Sequence, residues 1–93
     1  MPIYLRRLVL DVLKPHQPGI HELAAQICSI DGVEGINITL MEVDADTESV
    51  TITIEGELQF EEIKNKLEEW NCSVHSIDQV IAGEKIVEYR KLK

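Results

Sequence analysis

The chain has 93 residues, 44% of them hydrophobic, and a formal net charge of −8, which describes one acidic globular domain over residues 1–93 with no length left for a second. A chain this small holds one core and few deep cavities. Its acidity repels phosphate backbones and anionic lipid, so neither nucleic acid nor a membrane surface is expected as a general partner.

The charge is unevenly spread. Residues 22–69 carry thirteen acids against Lys64 and Lys66, whereas residues 1–21 and 70–93 balance at +2 and +1. No run approaches the roughly 20 apolar residues of a bilayer span. The start, Met1-Pro2-Ile3-Tyr4-Leu5-Arg6-Arg7, puts its charges after the apolar stretch, the reverse of a secretory signal. A cytoplasmic location is the expectation. Cys28 and Cys72 form no CxxC pair and read as small apolar residues near a core.

From Ile3 to Lys14 the run YLRRLVLDVLK alternates: Leu8, Leu10 and Val12 share one face, and Arg7, Val9, Asp11 and Leu13 the other. This predicts a central strand, broken by Pro15 and Pro18. Pro18 suits a first helical turn, and Ile20, Leu23, Ala24 and Ile27 follow at helical spacing, predicting a helix over 18–30 that Gly32 stops.

Residues 33–44 and 50–55 alternate in the strand manner around the polar turn Asp44-Ala45-Asp46-Thr47-Glu48, the pattern of a hairpin ended by Gly56. Phe60, Ile63, Leu67 and Trp70 mark a second helix near 59–70, with Glu61 and Glu62 in its favoured first turn. Residues 72–82 make a last strand, which Gly83 releases. The tail EKIVEYRKLK leaves room for a short extra strand around Ile86, Val87 and Tyr89.

The order β-α-β-β-α-β with right-handed crossovers is a ferredoxin-like α+β sandwich, a four-stranded antiparallel sheet with both helices on one face. The other face would carry Arg7, Val9, Asp11 and Leu13, then Asn37, Thr39, Met41 and Val43, then Thr51, Thr53 and Glu55. That mixture suits partial burial against another subunit. Neither parity of residues 74–81 is cleanly apolar, which points to a bulge near Ser76–Asp78. With two open edges as well, the expectation is a closed homo-oligomeric ring using the open face, an edge strand and the tail.

Candidate chemistry is sparse. Asp44, Asp46 and Glu48 place three carboxylates at alternate positions, as a weak calcium loop would. However, Ser49 replaces the glycine such a loop needs, and a solvated acidic turn accounts for the same residues. His75, Ser76 and Asp78 imitate a catalytic triad, but a regular strand points His75 away from both. Asp11, Lys14 and His16, with His75 and Asp78, are the candidates for a small-molecule site between subunits, beside the first strand–helix loop. No nucleophile–base pair stands out, so a non-enzymatic assembly or regulatory module is expected, with a small-ligand or divalent-ion sensor as the alternative.

Other users of this architecture provide contrasts. The central strands lack the aromatics on which RNA bases stack, and the first loop, KPHQPG, has neither the CxxC of copper chaperones nor a phosphate-cradling arginine. Pro18-Gly19-Ile20 matches the helix start of amino-acid-sensing domains over three residues only.

The stretches RRLVLDVLKP (6–15), DGVEGINITLMEVD (31–44) and HSIDQVIAG (75–83) resemble, in that order, an uncharacterised and largely archaeal family, domain of unknown function number 211. The resemblance implies a ferredoxin-like fold, ring-like homo-oligomers and no established activity. Two of that family's acids are Gln17 and Gln79 here, so a metal site relying on them is weakened.

Overall fold

The computed structural model describes residues 3–91. Met1 and Pro2 of the start, and Leu92 and Lys93 of the tail, lie outside the described residues. Four strands and two helices follow one another as β1 (Leu5–Pro15), α1 (Ile20–Cys28), β2 (Val33–Val43), β3 (Thr47–Leu58), α2 (Phe60–Glu69) and β4 (Ser73–Ala82). The sheet order is β2-β3-β1-β4, with every neighbouring pair antiparallel. This is the ferredoxin-like βαββαβ layout. Strands of ten to twelve residues, at about 3.3 Å per residue, explain a slab of 42 × 37 × 17 Å.

The core forms where the apolar parity of β1 (Leu8, Leu10, Val12) meets that of β3 (Val50, Ile52, Ile54). Leu23 and Ile27 of α1 and Ile63 and Leu67 of α2 cover it from one side, each pair four residues apart on its helix. Burying side chains of this kind is worth roughly 1.5–3 kcal/mol each.

Helix α1 starts later than the sequence predicts. Gly19 is its N-cap and Ile20 its first residue, so Pro18 precedes the helix rather than opening it. The Glu22 carboxylate accepts the Gly19 N–H at 3.0 Å, satisfying a donor the helix leaves free. Helix α2 ends where Asn71 takes a left-handed φ of 64°, a conformation asparagine tolerates better than most residues.

Gly56 does not end the hairpin, since β3 runs on to Leu58. The chain is displaced there because Gly56 (φ 148°) packs against the α1–β2 turn. A Cβ at Gly56 would lie 2.0 Å from the Gly32 carbonyl, which accepts the Glu57 N–H at 2.8 Å. The tail forms no strand among the described residues 83–91, leaving the sheet at four strands.

Bulges settle the ambiguous parities. Against β1, the register of β4 skips Asp78 and then His75, so Val74, Ile77 and Val80 pair with Val12, Leu10 and Leu8. A period of two thereby becomes a period of three: these apolar residues share the helix side, while Ser76, Gln79 and Ile81 fall on the open side opposite Asp11, Val9 and Arg7. A bulge in β2 likewise skips Met41 and pairs Glu42 with Ser49 and Val43 with Glu48. Register therefore moves Val43 to the helix side, correcting its expected place on the open face, and brings Glu42 to the open side in its stead.

Candidate functional site

Lys14 continues the apolar parity of Leu8, Leu10 and Val12 and is 1% exposed. A buried ammonium needs acceptors that compensate for lost water. Its Nζ donates to the Pro15 carbonyl and to Glu48 Oε1, both at 2.8 Å. Glu48 can meet it because β1–β3 register sets the two residues opposite each other.

The second oxygen, Glu48 Oε2, lies 3.1 Å from His16 Nδ1, and His16 Nε2 lies 2.9 Å from the Ala45 carbonyl. Both ring nitrogens thus face acceptors, and the imidazolium is the form that donates to both. The Glu48 hydrogen bond, seconded by the Ala45 carbonyl, holds His16 above the ordinary histidine value. Lys14 first, then His16, holds the Glu48 carboxyl below the usual glutamate range. These contacts fasten the β1–α1 loop to the β2–β3 turn.

On the open face, Arg7 gathers three elements. Its Nε donates to Glu55 Oε2 of β3 at 2.7 Å, and its Nη1 to Gln79 Oε1 of β4 at 3.3 Å and to Glu88 Oε1 of the tail at 2.8 Å. The carboxylates of Glu88 and Glu55 keep the guanidinium charged, and Arg7 in turn holds the Glu88 carboxyl below its usual range.

Four residues further along β1, about 13 Å at strand rise, the face turns acidic. An open depression of about 380 Å³ is lined there by Asp11, Met41, Glu42, Ser49, Thr51 and Asp78. The Ser76 hydroxyl donates to Asp78 Oδ1 at 2.7 Å. Three carboxylates with no basic side chain in the lining attract cations and repel anions.

The sequence candidates are therefore split. Asp11 and Asp78 meet at the depression. Lys14 and His16 meet through Glu48 on the opposite side of β1, so the four do not form one pocket. His75 stands exposed at a β4 bulge, outside both groups. Asp44 and Asp46 are exposed in the turn, whereas both oxygens of Glu48 are taken by Lys14 and His16. Among the described residues, no three His, Cys, Asp or Glu side chains stand close enough to hold a metal ion.

Sequence reasoning missed the inward role of Glu48, although a lysine at core parity on a central strand was a signal that an acid must answer it. It also missed Glu42, which a bulge brings to the depression, and the tail's return to Arg7. Neither of these leaves a local trace. No helix among the described residues is long and apolar enough to cross a membrane.

The comparisons agree with this geometry in being silent on chemistry. The model of domain of unknown function number 211, described as "Uncharacterized ArCR", matches residues 6–93. An uncharacterized protein of Methanocaldococcus jannaschii is 48% identical over 85 residues, covering 90% of this chain and 88% of the relative. A match over nearly the whole chain, on a fold the family resemblance implied, places this protein in that family of unknown function.

Proposed function

We propose that the protein is a non-enzymatic homo-oligomeric module whose subunits join head to tail through the two edges of the sheet. The observation that supports this is a pair of exposed apolar patches on opposite edges. Ile77 (48% exposed) and Val80 (51%) stand on β4, and Leu40, Met41 (63%) and Val43 stand at the end of β2. Soluble monomers scatter such residues singly, and contiguous groups mark interfaces.

Bulges in both edge strands disfavour simple extension of the hydrogen-bonded ladder. The contact is therefore side chain on side chain. Two different patches meeting make a heterologous interface, which closes into a ring when the rotation permits. Sedimentation equilibrium tests this: a multiple of 10.6 kDa supports assembly, and a 10.6 kDa species at all concentrations overturns it.

A second reading takes the depression as a weak attractor for hydrated cations, favoured by Asp11, Glu42 and Asp78 lining it without a basic neighbour, although the three do not stand close enough to ligate one ion together. Calcium is the probe, drawn with its water shell by the carboxylate field rather than by three direct ligands. A saturable thermal shift with calcium that Asp11→Asn abolishes supports it. No shift up to millimolar calcium removes it.

A further inference from the structure

The chain leaves β4 at Gly83, whose φ of 100° turns it back. An added Cβ there would meet nothing within 4 Å, so the turn is not wedged by neighbours. The exit is nevertheless held. The Gly83 N–H donates to the Tyr4 carbonyl at 3.0 Å, and Arg6 Nη1 donates to the carbonyls of Gly83 and Glu84 at 3.3 and 3.1 Å.

Beyond that point, among the described residues, the side-chain tie that returns the tail to the domain is Glu88 to Arg7 at 2.8 Å. Of the apolar side chains of the same segment, Val87 (68%) and Tyr89 (80%) are largely exposed and add no anchor, while Ile86 (43%) is about half covered. Ile81 faces Arg7 on the open side of the sheet, outside the helix-side core, and is still only 4% exposed.

We infer that residues 84–88 form a hinged strap over the Arg7–Ile81 end of the open face, clamped at Gly83 by Arg6 and pinned at its far end by the single Arg7–Glu88 ion pair. Exposed ion pairs are weak and salt-sensitive, so a strap held by one of them and by the half-covered Ile86 alone is poised between closed and open. Opening uncovers Ile81 and leaves Arg7 with Glu55 and Gln79. The face thus has two forms, whether or not the chain assembles through its edges.

Trypsin reads the strap directly, because Lys85 lies between the two fixed points. A protease needs several residues of free, extended chain, which the closed strap denies it. The variant Arg7→Gln removes the pin without altering the cleaved sequence. Cleavage after Lys85, followed by mass spectrometry at low salt, is expected to rise several-fold, and cleavage of the wild type is expected to rise toward the variant's rate as salt is added. Glu88→Gln should match Arg7→Gln, while cleavage after Lys64 and Lys66 in α2 stays unchanged. Equal Lys85 cleavage in wild type and Arg7→Gln overturns the strap. So does faster cleavage in α2 alongside it, which would mean general loosening of the domain.

Discussion

Replacing Ile77 and Val80 together by threonine tests the proposed edge contact most directly. Threonine keeps the β-branched shape that a strand favours, so the change falls on polarity. Full burial of such a side chain is worth roughly 1.5–3 kcal/mol. Ile77 and Val80 are 48% and 51% exposed, so each retains about 1 kcal/mol to gain when a neighbour covers it. Losing both costs about 2 kcal/mol per contact, a rise on the order of 30-fold in the dissociation constant. Burying two unpartnered hydroxyls would add about 1–3 kcal/mol each. Because neither side chain belongs to the main core cluster, the folded subunit should lose little, within about 1 kcal/mol per site. Sedimentation velocity across a hundredfold concentration range, paired with thermal unfolding, separates the two effects. Leu10→Ala is the opposite control: it empties a fully buried core position and should cost about 2–5 kcal/mol of stability. A double variant that assembles as the wild type does would refute the reasoning.

Gly56→Ala drives a Cβ to within 2.0 Å of the Gly32 carbonyl at a φ of 148°, and backbone on both sides cannot yield. The expected loss is on the order of 3 kcal/mol, a fall of about 12 °C or more in thermal midpoint, whereas Gly83→Ala meets open space and should cost about 1–2 kcal/mol of backbone strain alone. The Lys14–Glu48–His16 cluster sets a pH window. His16 is raised, so its contribution is complete below about pH 6.5 and is lost as pH rises through the higher folded value. Glu48 is lowered, so its contribution is present above about pH 4.5 and is lost as pH falls through the depressed value. Urea midpoints measured from pH 4 to 9 should peak between these limits, and His16→Gln should remove the alkaline decline. Lys14→Met, which deletes the main cause of the Glu48 shift, should move that carboxyl back up in an NMR titration. Cys28 is exposed, whereas Cys72 is buried and its thiol is pushed up by burial. A thiol reagent should therefore label Cys28 at once and Cys72 only on unfolding, as mass spectrometry of timed aliquots would record.

Most of the architecture was legible along the chain. Leu8, Leu10 and Val12 alternate in β1, Val50, Ile52 and Ile54 alternate in β3, and Leu23, Ile27, Ile63 and Leu67 recur four apart within their helices. Those periods are local, set by backbone geometry that each segment carries with it. Mixed parity in residues 74–81 even announced the irregularity of β4, though not that two bulges would line up Val74, Ile77 and Val80.

The candidate sites were another matter. Asp11, Lys14, His16 and Asp78 sit close in any list of polar residues near one sheet end, yet parity sends Lys14 to the helix side and Asp11 to the open side of the same strand. Glu48 joined Asp44 and Asp46 by sequence spacing, but the strand beside it supplied Lys14 and turned its carboxylate inward. Residue order alone determined which segments form strands and helices and which face of β1, β3 and each helix enters the core. Only the tertiary structure decided which polar groups answer one another, because strand register, bulges and the tail's return to Arg7 depend on neighbours as far as 34 and 81 positions away.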